Sequence, residues 1–132
     1  MKYLSLPAWQ GEKPLYLAEL ILALGCSAAD LTWRCRSLEI GPGPETHPLE
    51  AAADSGDELT LLELLHLATP DVQVIDGEII GYECQDGQLQ PVVTLRAIDS
   101  TSWELELPHE SDFQRILAAF PETVELNSSR LE

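Results

Sequence analysis

The distribution of charge is the first constraint on what this chain can fold into. Between Arg36 and Arg96 the sequence contains no Lys or Arg, yet it holds twelve acidic residues. Like charges cannot form ion pairs with one another, so most of these acids must face water or a partner in any fold. The twelve are Glu39, Glu45, Glu50, Asp54, Asp57, Glu58, Glu63, Asp71, Asp76, Glu78, Glu83 and Asp86.

The chain as a whole is also strongly acidic. Its 132 residues include 23 Asp and Glu against 7 Lys and Arg, which gives a net charge of -16. A small domain usually has a net charge of roughly 2 to 8 in magnitude. Nucleic acid and anionic membranes need Lys and Arg to neutralise their phosphates, so we expect neither to bind directly. The charge favours a basic protein as the partner.

Length and composition indicate one folded domain over residues 1–132. The apolar fraction of 45% is sufficient for a hydrophobic core. The first residues lack the apolar segment of a secretion signal, and the three cysteines are an odd set without C-x-x-C spacing. We therefore expect reduced thiols and a cytoplasmic location.

Three segments have the hydrophobic pattern of helices. The first runs over 14–24, where Pro suits the start and the glycine at 25 suits the end. The second runs over 59–67, with Ser55 and Glu58 at the spacing of a capping box. The third runs over 111–120 and is amphipathic. In the second helix one broad apolar arc is assigned to Leu61, Leu62, Leu64 and Leu65.

Alternation of apolar and polar residues predicts the strands. Strands are expected over 31–40, with a bulge near Ser37, and over 92–98 and 102–107. A short edge strand is expected over 123–126.

Two Asp-Gly pairs predict tight turns, because a two-residue type I′ turn needs positive φ at both central residues. Asp76-Gly77 predicts a hairpin between strands at 72–75 and 78–82, in which Val74 faces Ile79. Asp86-Gly87 predicts a second turn.

Together these elements predict an α+β fold, with an antiparallel meander sheet of about four to six strands and about three helices packed against it. Residues 41–57 are expected to form a long acidic loop with room for a short helical turn, and residues 127–132 a loose tail.

Motifs for catalysis, metal or cofactor binding are not found in the sequence. His47, His66 and His109 are scattered without partners at ligand spacing, and Cys35 lies on the apolar side of its strand. Gly41-Pro42-Gly43-Pro44 lacks the spacing and the lysine of a phosphate-binding loop. We therefore predict no catalytic residues, no metal and no cofactor.

The function that follows is non-enzymatic neutralisation of a basic partner, such as an enzyme that acts on nucleic acid. Carboxylates would stand in for the anionic substrate, and a few leucine or aromatic side chains would anchor the contact. In size, acidity and α+β pattern the chain resembles immunity proteins of bacterial polymorphic-toxin and contact-dependent inhibition systems. This resemblance implies a cognate toxin as partner, a cytoplasmic location and no cofactor.

The predicted partner-binding residues are acids of the loop and the second helix, followed by two outward acids of the last long strand. They are Glu45, Glu50, Asp54, Asp57, Glu58, Glu63, Glu104 and Glu106.

Two other classes of function remain open. One is an adaptor that dimerises through its leucine-rich helices, with Leu59 and Leu67 protected in the dimer. The other is a small enzyme or ligand-binding domain whose site is assembled from distant residues, with Tyr82, Asp99 and His109 as candidates.

Overall fold

A computed structural model describes residues 1–41, 46–68 and 72–127, with the side chains of residues 26 and 27 left out. Eight strands and four α-helices lie in these ranges, with a 3₁₀ turn at Gly25–Ala28. The strands are β1 Lys2–Pro7, β2 Trp9–Gln10, β3 Lys13–Pro14, β4 Thr32–Gly41, β5 Gln73–Gln85, β6 Gln88–Ile98, β7 Ser102–Leu107 and β8 Val124–Leu126. The helices are α1 Leu17–Leu24, α2 Pro48–Ser55, α3 Leu61–Ala68 and α4 Glu110–Ala119.

Six strands form one antiparallel sheet in the order β4-β5-β6-β7-β1-β8, and β2 and β3 form a small separate hairpin. Strands β4 to β7 are neighbours in chain order, as in the predicted meander, and the α+β prediction is confirmed. Strand β1 was not predicted, although Leu4 and Leu6 alternate with more exposed neighbours. It inserts between β7 and β8 and pairs with both.

The hydrophobic core lies between one face of the sheet, which we call the inner face, and the helices. Trp33 and Trp103 are the largest fully buried side chains and point to this face from β4 and β7. The helices contribute their buried leucine and isoleucine side chains to the same cluster. These are Leu17, Leu20, Ile21, Leu24, Leu49, Leu64 and Ile116.

The two Asp-Gly pairs behave differently. Asp86-Gly87 forms the predicted hairpin turn, with φ of 52° and 77° at its two residues and Gln85 paired with Gln88. The hairpin predicted at Asp76-Gly77 is wrong, because β5 runs through this pair without a turn. Val74 and Ile79 are therefore not cross-strand neighbours, and both pair with β4 instead.

The chain accommodates Gly77 through an irregularity in the neighbouring strand. The pairing of β4 with β5 shifts between Arg36 and Glu39, which confirms the bulge predicted near Ser37. Ser37 has a φ of 54° there. Gly77 has a φ of 131°, and a Cβ at this position would lie 2.8 Å from the backbone oxygen of Ser37. Glycine is thus needed for close approach to the bulge rather than for a turn.

Two helix starts also differ from the predictions. The first helix begins at Leu17 rather than at residue 14, because Pro14 pairs with Trp9 in the β2–β3 hairpin. The second begins at Leu61, and its capping box is made by Thr60 and Glu63. Ser55, predicted to cap this helix, is instead the last residue of α2. The last helix was predicted within one residue at each end.

Residues 41–57 are not a loop throughout. Helix α2 occupies Pro48–Ser55 and begins after His47, whose Nδ1 accepts a hydrogen bond from the backbone N–H of Leu49. Proline at the first helical position and Gly56 with a φ of 69° at the end explain the two boundaries. Of the predicted tail, only Asn127 lies within the described residues.

We expect Gly77→Ala to destabilise the protein by about 3 kcal/mol, because the φ of 131° and the contact with the β4 bulge both disfavour a side chain. Gly11→Ala is the matched control, since Gly11 has a φ of 68° but no atom within 4 Å of the added Cβ. The control should cost only about 1 kcal/mol. Urea unfolding measures both, and equal losses would show that the bulge contact is unimportant.

Candidate functional site

Four of the predicted partner-binding acids lie together in sequence between the end of α2 and the start of α3. Asp54, Asp57, Glu58 and Glu63 are all exposed, and we call these four residues the α2–α3 acidic surface. Helix α2 packs against β4 and α3, so this surface lies beside the β4 edge of the sheet. Leu59 anchors it there, because its backbone N–H and C=O exchange hydrogen bonds with Trp33.

The four acids differ in how far their charge is compensated. Glu58 forms an ion pair with Arg34. Glu63 accepts a hydrogen bond from the backbone N–H of Thr60, which lowers its pKa. The side chains of Asp54 and Asp57 form no hydrogen bond or ion pair within the described residues. Asp54 and Asp57 therefore present uncompensated negative charge to solvent.

Two other predicted residues do not contribute such charge. The carboxylate of Glu50 is partly buried and accepts a hydrogen bond from the backbone N–H of His47, 3.2 Å away, so it serves the capping of α2. Glu45 lies outside the described residues.

The outward position predicted for Glu104 and Glu106 requires a correction. Both lie on the outer face of the sheet, opposite the core, but Glu104 is only 4% exposed. Glu106 is half-buried and accepts a hydrogen bond from Nη1 of Arg96 at 3.0 Å. Glu104 is thus buried and Glu106 is paired with Arg96, so neither is an open acid of the kind predicted.

An apolar groove of about 330 Å³ adjoins the acidic surface and was not predicted as part of the site. It is lined by Leu59, Leu62, Glu63, His66 and Leu67. Leu62 is 79% exposed, although the sequence pattern placed it on the broad apolar arc of the helix. The three- and four-residue spacing of Leu59, Leu62 and His66 was the available signal for this second face.

The dimerisation surface expected from the leucine-rich helices is mostly used inside the molecule. Helix α1 buries five of its eight residues. Leu59, expected to become protected in a dimer, is already only 7% exposed. Of the α1 leucines, Leu22 alone is exposed.

Tyr82 and Asp99, two of the three residues proposed for an assembled enzyme site, are not brought together. Tyr82 of β5 pairs with Pro91, near the start of β6. Asp99 directly follows the other end of β6. At roughly 3.3 Å per residue these two positions lie about 25 Å apart. His109 is the residue before α4.

The described residues contain no group of three or more His, Cys, Asp or Glu that could hold a metal ion. Cys35 is buried as expected, and burial raises the pKa of its thiol to about 12. Within the ranges given above, no helix has the length and apolar character needed to cross a membrane.

We expect the stability that Glu63 adds to depend on pH. Its pKa is lowered by the Thr60 cap from an ordinary value of 4.5. A depressed carboxyl pKa adds stability above the unfolded-state pKa, and that stability is lost as the pH falls through the folded-state pKa. Glu63→Gln should therefore destabilise the protein at pH 7 and have a smaller effect at pH 3. Thermal unfolding across this range tests it, with Glu12→Gln, an exposed acid, as the control; a constant difference would contradict the capping role.

Comparisons with known proteins give no relative for this chain. No protein-family model matches it, and neither does any curated protein or solved structure. The α2–α3 acids and the adjoining groove are the features of this chain that bear on its function.

Proposed function

We propose that this protein is a non-enzymatic inhibitor that binds and neutralises a basic protein, and that its partner is a toxin, as for the immunity proteins it resembles. The single observation in favour of this function is the combination of uncompensated carboxylates with an exposed apolar groove at one place. Asp54 and Asp57 supply the charge, and Leu62 and Leu67 line the groove.

The acids would act first, during the approach of the partner. Net charge of -16 attracts a basic protein from a distance, and the field is strongest where carboxylates have no cation beside them. Complementary charge raises the association rate more than it lowers the dissociation rate. Asp54 and Asp57 would thus orient the partner toward the α2–α3 acidic surface.

The groove would then supply the contact that holds the complex. Leu62 is exposed enough to enter a pocket of the partner, and the leucine side chains around it would lose water on binding. Hot spots of this kind are apolar at the centre and polar at the rim, and here Glu63 lies at that rim.

Inhibition needs no chemistry from this chain. Enzymes that act on nucleic acid have basic clefts, and a rigid acidic surface occludes such a cleft by occupying the positions of the substrate phosphates. The thiol of Cys35, kept neutral by burial, takes no part in this mechanism. A cytoplasmic location belongs to the same proposal, because a toxin inhibitor must be present where the toxin acts.

The test uses the protein as bait in a native lysate, with capture at low salt and elution at high salt. For a basic protein captured in this way, we expect Asp54→Lys/Asp57→Lys to weaken binding by about 10- to 100-fold, mostly through the association rate, and to flatten the salt dependence. Leu62→Asp should increase the dissociation rate. Neither aspartate has an internal partner among the described residues, so folding should be unaffected.

The matched control is Glu12→Lys/Glu122→Lys, which makes the same change of net charge at two exposed acids away from this surface. It should alter affinity by less than about threefold. Equal losses in both double variants would mean that only total charge matters, and unchanged binding of Asp54→Lys/Asp57→Lys would exclude the α2–α3 acidic surface.

A further inference from the structure

Helix α3 has a second apolar face that the core does not use. Leu64 and Ala68 point into the core and are completely buried. Leu62 lies about 200° around the helix from Leu64, and 79% of it is exposed. A surface helix normally buries one apolar stripe and turns polar side chains to water. Apolar side chains on both sides of α3 therefore indicate a contact surface on the side away from the core.

The side chains of this second face stand in two rows. Glu63 and Leu67 are four residues apart in one row, and Leu59, just before the helix, continues the same spacing. Leu62 and His66 form the neighbouring row. Together they line the groove of about 330 Å³, which we call the α3 groove. Rows at four-residue spacing are the ridges of a helix surface, and a ridge of a second helix fits the depression between them.

The ionised acids beside the α3 groove carry more charge than their neighbours neutralise. Glu63 lies in the lining itself, and its lowered pKa keeps it ionised at neutral pH. Asp57 and Glu58 directly precede the lining residues, and only Glu58 has a cation beside it, Arg34. The sequence has no Lys or Arg over 37–95. An occupant of the groove must therefore bring its own cations beside its apolar side chains.

We propose that the α3 groove binds an amphipathic basic helix of the partner, with one apolar stripe flanked by Lys or Arg. This inference rests on the proposed function, because it takes the partner to be a basic protein. It adds which element of that protein the chain recognises. Helices of this kind are bound through apolar anchors at three- and four-residue spacing, with charge setting the partner and the orientation.

The geometry of helix packing fits the size of the groove. The residues from Leu59 to Leu67 extend over about 12 Å at helical rise, which two turns of an occupant cover. A helix that crosses α3 at about 50°, with its axis about 8 to 10 Å away, places a ridge between the two rows. Leu62 then packs between apolar side chains of the occupant. Its flanking cations lie within reach of Asp57 and Glu63.

Other occupants fit the α3 groove less well. An extended strand binds through main-chain hydrogen bonds, but the backbone groups of a helix are already paired and offer no edge. A second copy of this chain would bring the same acids, so Asp57 and Glu63 would face like charge. An anionic membrane surface would be repelled for the same reason.

The short groove predicts a weak contact with an isolated helix. Two turns against one helix face bury less than about 1,200 Å², the range of transient complexes. We expect a Kd of about 50 μM at low salt. Binding should weaken as salt is added, because the acids beside the groove are exposed.

NMR shift mapping of the backbone amides tests the proposal on the full chain of 14.6 kDa. The probe is a synthetic peptide of about 14 residues, with leucines at i, i+3, i+4 and i+7 and lysines on both sides of that stripe. Shifts are expected in α3 and at residues 57–59. Leu62→Asp and Leu62→Ala should each raise the Kd by about tenfold. Leu22→Asp and Leu22→Ala are the matched controls, since Leu22 is 67% exposed on α1, and they should change the Kd by less than about twofold.

A second peptide separates the apolar stripe from the charge. It has serines in place of the leucines and the same lysines, and it should bind about tenfold more weakly or less. Equal affinity of the two peptides would overturn the proposal, because charge alone would then explain binding. Equal losses in the Leu62 and Leu22 variants would also overturn it. Thermal unfolding checks that each variant is folded, and Leu62→Ala retains a good helix former if Leu62→Asp is unstable.

The remaining outcomes distinguish this inference from the proposed function. If the leucine peptide does not bind, the helix is excluded, and the inhibitor function stands provided that Asp54→Lys/Asp57→Lys weakens a captured basic protein. If the peptide binds at α3 but a lysate yields no basic protein, the groove's preference for a basic helix is supported and toxin neutralisation is not. A wild-type dimer in sedimentation that Leu62→Asp abolishes would assign the α3 groove to a second copy and overturn the proposal.

Discussion

The structure depends on the burial of one sheet face beneath the helices. Trp33 and Trp103 lie on that face in β4 and β7, and both are almost completely removed from water. Burying such large apolar side chains is the main source of stability for a domain of this size. Lys2 of β1 adds two ion pairs near the β8 edge of the sheet. Its ammonium binds Glu110 of α4 at 2.8 Å and Glu125 of β8 at 2.9 Å. These charges join the edge strand and the last helix to β1.

A one-sided core leaves the other sheet face to be stabilised by polar contacts. The structure concentrates three of its arginines there, and Glu78 is shared between Arg36 and Arg96. Arg36 and Arg96 pair with Glu78 on the sheet and so do not neutralise the acids of α2 and α3. Arg34 is the exception, because it pairs with Glu58. The uncompensated charge of Asp54 and Asp57 thus follows from having few cations, most of which lie on strands.

The sequence was informative wherever the chemistry is local. Asp86-Gly87 formed its turn at a hairpin tip where a Cβ added to Gly87 would meet no atom within 4 Å. Asp76-Gly77 did not form a turn, because it lies against the bulge in β4, more than thirty residues away in sequence. Strand β1 was missed because its short alternation becomes decisive only when β7 and β8 lie on either side. The capping box moved from Ser55 to Thr60 because α2 extends through Ser55.

The sequence by itself determined the fold class and the excess of acids, since hydrophobic period and residue counts need no coordinates. It also indicated Asp54 and Asp57, because no cation lies near them along the chain. Only the tertiary structure decided which acids are accessible. Glu104 alternates with buried residues like any outward strand position, yet it is itself buried. Leu62 belongs to an apolar arc by pattern, yet it is among the most exposed large apolar side chains described. Exposure is a property of what lies opposite a side chain, and that is set by contacts distant in sequence.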